Sequence, residues 1–257
     1  MPSVLFIPDK FMDYRMWSDI PDRIRDRAET IHFDQHALIP WTAANGGFLA
    51  AARRLAGDGR FDVVVAAGQA ARFGFAVADA GLAAGLVLFY PSLDRPLNEV
   101  VSGVVEDVDR AETLGPYQPV IDALDEDDPG RRRELLLQVV RDTAGPGIDP
   151  AELERAVAMM SDHAEEFFAE LQAARAAAAG GQPQADPPWL ERPWINHAAE
   201  LTIPVTVIVA PGGRVIGAEI ASRTADVEIV VANPGLAPVA EPGLSAQVLS
   251  RMLDRLT

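Results

Sequence analysis

Residues 61–79 read FDVVVAAGQAARFGFAVAD. The stretch opens with an unbroken apolar run over 63–67. It breaks at Gly68, then resumes in small residues that carry Phe73, Phe75 and Val77. An apolar run of this length, with no polar alternation, suits a strand buried on both faces. A glycine turn straight into a helix then gives a central parallel strand feeding a crossover helix.

Working outward, the neighbouring segments extend the same pattern. Residues 4–7 (VLFI) form a short buried strand closed by Pro8-Asp9, with a loop and helix after it. Residues 30–33 form a second strand, followed by Asp34-Gln35-His36 and a Pro-Trp loop. Residues 46–55 have helical spacing, and 85–90 (GLVLFY) make another buried strand closed by Pro91. This β-α-β alternation predicts an α/β fold with a doubly wound, mostly parallel sheet.

Over 98–201 strand-like runs become scarce. Helical segments are expected at 114–124, 131–143 and 150–179, the last opened by Asp149-Pro150. A breaker-rich loop follows at 180–188. The strand pattern returns at 204–210 (PVTVIVA) and 227–232 (VEIVVA), with helices at 216–224 and 245–256. The expected organisation is a core of 1–97 and 202–257 carrying a helical insertion of 98–201.

Composition narrows the function classes. The chain has 257 residues, 49% of them apolar, enough for a sizeable core. There is no cysteine, so disulfides and thiolate metal sites are excluded. A net charge of −16 argues against nucleic acid as a partner. No run reaches membrane-spanning length, and the first residues lack the pattern of a signal peptide. A cytoplasmic location is expected. The acids at 125–128 read as a solvated turn rather than a metal loop.

Five segments come in an order and spacing that resembles the α/β-hydrolase superfamily, in particular the AB hydrolase-1 type with a helical cap. VLFIPDKFMDYRMW resembles its first strand and loop, with Pro8-Asp9 in place of the usual His-Gly. FDVVVAAGQAARFG resembles the strand–nucleophile–helix elbow. GLVLFYPSLDR resembles the strand before the cap, and IPVTVIVAPGG the strand bearing the catalytic acid. ADVEIVVANPGLAPVAEP resembles the strand and loop bearing the catalytic histidine, with Glu241-Pro242 after it.

What the resemblance implies for the triad is not met. In the G-x-S-x-G frame the serine position falls at Ala70, and a slip of one gives Gln69 or Ala71. The acid position falls at Gly213 or Arg214, and the histidine position at Leu236. A nucleophile, base and orienter are all absent there. The last glycine of the motif is replaced by Arg72, which either faces solvent or reaches the pocket to pair with a carboxylate.

Other residues stand where this fold places ligands, at the carboxyl ends of strands. Asp9 and His36 are candidates for proton transfer, with Asp94 a lesser one; His32, His163 and His197 read as packed or solvated. The expected ligand-lining set is Pro8, Asp9, Lys10, Gln69, Ala70, Arg72, Tyr90, Arg214 and Leu236, with Met160 and Trp189 from the insertion and Met159 beside them.

The resemblance implies a triad-less, non-hydrolytic member that binds a peptide or small natural-product intermediate between core and cap. It would catalyse epimerisation or isomerisation by proton transfer, with no cofactor and no metal. The peptide epimerase of the bottromycin pathway is similar in fold and supplies the precedent. Two alternatives stand beside this: a non-catalytic ligand- or peptide-binding pseudo-hydrolase, and a rewired hydrolase.

Overall fold

A computed structural model describes residues 1–9, 12–33, 48–91, 118–143, 148–179, 201–209, 214–232 and 241–256. The chain divides into two compact units, Met1–Leu93 with Asp186–Thr257, and Asp94–Ala185.

The first unit is a six-stranded sheet. Its strands are β1 (Ser3–Ile7), β2 (Glu29–His32), β3 (Phe61–Ala67), β4 (Ala83–Phe89), β5 (Val205–Val209) and β6 (Val227–Val231). The order is β2-β1-β3-β4-β5-β6, and every described pairing is parallel. The chain steps from β1 outward to β2, then returns to lay β3 on the other side of β1. That reversal is the switch point at which open α/β sheets bind ligands.

Alternation along the strands divides the buried residues between two layers. Leu5, Ile7, Val64, Ala66, Leu86 and Leu88 share one core cluster with Phe75 and Val77. Those two belong to α3 (Ala71–Asp79); α2 (Phe48–Ala56) packs beside it, and α8 (Arg214–Ala221) lies on β5 and β6. The opposite layer carries α1 (Ile20–Ile24) and α9 (Pro242–Leu256). There Trp17 is fully buried, its ring 5.0 Å from that of Phe6 and 5.8 Å from that of Phe89. Each apolar side chain buried in this way stabilises the sheet by about 1.5–3 kcal/mol.

Two glycines bring helix and sheet close. A Cβ at Gly85 would meet Met252 Sδ of α9 at 2.9 Å. A Cβ at Gly74 of α3 would lie 3.1 Å from both Ala66 Cβ and Leu86 Cδ1. Helix α3 therefore approaches the sheet most closely through Gly74 rather than through position 72, where the motif's last glycine would stand.

The second unit contains α4 (Gln118–Ala123), α5 (Pro129–Thr143), α6 (Pro150–Asp162) and α7 (Ala164–Ala179). The single helix expected over 150–179 is interrupted at His163, where φ is −105° and ψ is 7°. The His163 carbonyl instead accepts from Phe167 N at 3.0 Å and starts the next helix. The buried stripe Ala156, Met160, Ala164, Phe167, Leu171 runs straight through the break. Apolar spacing therefore carries no sign of it.

The acids at 125–128 are structural. Asp128 Oδ1 accepts from Gly130 N at 2.7 Å and Arg131 N at 3.1 Å, capping α5. Asp125 pairs with Arg175 at 2.6 Å. Among the described residues, no helix is long and apolar enough to cross a membrane.

Candidate functional site

The elbow after β3 makes its left-handed turn at Gly68. There φ is +52°, and a 3-10 turn over Gly68–Ala70 leads into α3. This conformation costs glycine nothing and other residues a good deal. The serine frame put the nucleophile position at Ala70, and the backbone corrects it. Ala70 is right-handed, with φ −68° and ψ −10°, and is wholly buried under the helix start. The apex lies two residues earlier, at a residue with no side chain.

The space above that glycine is filled from β1. Any Cβ at residue 68 would overlap the carboxyl group of Asp9. Gly68 is therefore required twice, by its dihedral and by its neighbour. Asp9 stands just beyond the end of β1, after the buried Pro8. Its carbonyl accepts from Met12 N at 3.0 Å, and its own N–H donates to Met16 Sδ at 3.4 Å. A carboxylate here also faces the amino end of the turn and helix that begin at Gly68, where the peptide dipoles favour negative charge.

The register explains the meeting. Ile7 pairs with Ala66, and Ala67 with Phe89. Two residues beyond the first pair and one beyond the second, Asp9, Gly68 and Tyr90 share one row across β1, β3 and β4. Tyr90 continues the sheet through its N–H, which donates to Ile208 O at 2.8 Å, yet its φ is +46°. It is half-buried. That burial, and secondarily the Glu241 carboxylate, push its phenol well above the usual tyrosine range.

The other expected residues are distributed as follows. Arg72 is half-buried on α3, with its Nε inside the protein. Gln69 belongs to the 3-10 turn and Arg214 opens α8; their side chains are outside the described residues. Met159 and Met160 are buried on α6 of the second unit. Lys10, His36, Asp94, Trp189, His197 and Leu236 lie outside the described residues.

His32 ends the edge strand β2, its ring stacked on Phe6 at 5.4 Å. Burial of that face holds its pKa below the ordinary histidine value. Among the described residues, no three histidine or acidic side chains gather as a metal-binding group. Sequence reasoning missed two contributors. Glu241 was read only as part of the Glu-Pro step, and Gly68 only as the first glycine of a motif. The one signal for Gly68 was that it is the sole glycine between β3 and the helix.

No protein-family model matches the chain, and no curated protein matches it by sequence. Solved structures do match in fold. The enol-lactonase of Burkholderia xenovorans superposes with a TM-score of 0.61 at 14% identity, covering 98% of this chain and 91% of that one. A thermophilic esterase of Thermogutta terrifontis gives 0.59 at 17% identity, covering 100% and 90%. A Nostoc protein assigned as an α/β hydrolase gives 0.64 at 17% identity, covering 98% and 90%. The chain has the α/β-hydrolase fold.

Proposed function

We propose that this α/β-hydrolase fold serves a non-hydrolytic enzyme that moves a proton on a carbon acid, with Asp9 as the base. The observation that carries the proposal is the exchange of side chains at the elbow. The apex residue, Gly68, has no nucleophile, and the Asp9 carboxyl group occupies the space a nucleophile would need.

The step is a reversible deprotonation next to a carbonyl. The Asp9 carboxylate takes the proton, and the electron pair of the C–H bond moves onto the carbonyl oxygen to give an enolate. Return of the proton to the same carbon after the enolate has turned its other face to Asp9 is epimerisation; return to a conjugated carbon is isomerisation. A positioned base contributes about 10²–10⁴-fold, and holding the C–H bond against it contributes further. The substrate class is a peptide or small natural-product intermediate with an acidic C–H beside a carbonyl. That class rests on the resemblance in fold to triad-less isomerases.

The test is mass spectrometry in D₂O with a panel of short peptide amides, thioesters and α-aryl ketones. Wild type adds one deuterium at the labile carbon of an accepted compound without cleaving it, and Asp9→Asn does not. Hydrolysis without exchange, or equal exchange by Asp9→Asn and wild type, would end the proposal. Binding without exchange would leave the fold as a ligand-binding module.

A further inference from the structure

The row that joins Asp9 to Gly68 continues one strand further, to Tyr90. We infer that Tyr90 is a second substrate-contacting residue of this site, donating its hydroxyl hydrogen to the carbonyl oxygen while Asp9 takes the proton from the adjacent carbon. The inference rests on the proton-transfer reading of Asp9 and adds the donor that stabilises the developing charge.

Three observations carry it. The first is position. Adjacent strands lie about 4.8 Å apart, so the backbones at 9 and 90 flank Gly68 on either side. The residue between them has no side chain. A carbonyl group and its neighbouring carbon placed over this row would lie between an acceptor on one strand and a donor on the other.

The second is backbone strain. An aromatic residue at φ +46° is an outlier. Strain of this kind persists where the surroundings impose it, and it collects at sites of function. A glycine or asparagine would satisfy the same turn at lower cost. The side chain therefore has to supply something the turn does not need.

The third is the state of the phenol. Half-buried and next to the Glu241 carboxylate, it keeps its proton throughout the neutral range. It is therefore a hydrogen-bond donor and not a base. The chemistry balances without a co-reactant. The C–H electron pair passes to the carbonyl oxygen and the proton to Asp9. Tyr90 shortens its hydrogen bond to the forming oxyanion but keeps its own proton. Reversal restores all groups. A donor aimed at developing charge is the kind of contact that strengthens toward the transition state. With two carboxylates at the site, Asp9 and Glu241, the substrate that fits is uncharged at its carbonyl end.

The probe is para-nitrophenolate, whose charged oxygen mimics an enolate, titrated against the full chain by calorimetry. Wild type binds it, and Tyr90→Phe weakens binding by about tenfold, the worth of one hydrogen bond to a charged oxygen. Equal affinities for the two proteins would overturn the assignment, as would no binding by wild type at millimolar concentration.

Should Tyr90→Phe fail to fold, meta-fluorotyrosine labelling replaces it. The residue 90 resonance, assigned by removing Tyr14 and Tyr117, must move when the probe is added; a stationary line overturns the assignment. The D₂O experiment separates this inference from its premise. Exchange lost in Asp9→Asn but unchanged in Tyr90→Phe would sink Tyr90 alone. Tyr90-dependent probe binding with no exchange on any compound would sink the base.

Discussion

The same two residue types occur in opposite order at two places in the molecule. Asp149-Pro150 opens α6, and Pro8-Asp9 closes β1. At Asp149 the carboxylate is exposed and accepts from Ala151 N at 2.8 Å, only two residues away. At Asp9 it lies against Gly68, in the turn that follows a different strand. One acid completes its own helix and the other fills a gap in a distant turn. What an aspartate does depends on how far along the chain its partner lies. Only the near partner can be read from neighbouring letters.

The comparison is open to direct attack. The largest effect is expected at the distant pair: Asp9→Asn should lower deuterium exchange by about 10²-fold or more. Its thermal unfolding should stay close to wild type. A large fall in melting temperature instead would mean that Asp9 is a structural residue, like Asp149.

Gly68→Ala should come next. Forcing a side chain into the left-handed region costs about 1–3 kcal/mol, and Asp9 must also move aside. A shift of roughly 2–4 °C per kcal/mol is expected for a domain of this size, readable by calorimetry. An unchanged melting temperature would show that the turn can relax.

Asp149→Ala should cost about 1 kcal/mol, the usual worth of a helix cap, with no effect on exchange. Denaturant unfolding followed by circular dichroism measures the first, and mass spectrometry the second.

The smallest effect concerns His32. Its folded pKa lies below its unfolded one, so its contribution is fully present above the unfolded pKa. It is lost as pH falls from there through the folded value, because the unfolded chain binds the proton first. Melting temperatures between neutral and mildly acidic pH should therefore fall less in His32→Gln than in wild type. A steeper fall in the variant would reverse the sign.

Much of the architecture was legible in advance because its causes are local. All six strands were expected within two residues of their observed bounds, since each is a short apolar run between breakers. The start of α6 followed from the Asp149-Pro150 step. The break at His163 was not legible, because the apolar stripe is continuous across it. The elbow was found, but its apex was placed two residues late. The motif frame assumes two flanking glycines, whereas here one glycine is the apex itself and the packing glycine is Gly74.

By itself, the sequence determined the α/β layering, the parallel direction of the strands and the absence of a serine at any slip of the elbow frame. Each of these follows from residue type and short-range periodicity. The tertiary structure decided which residues meet. Asp9, Gly68 and Tyr90 fall in one row because β1, β3 and β4 pair in a particular register. Register is set by the packing of whole strands between two helix layers. A shift of one residue would leave three local patterns unchanged and take the three residues out of one row.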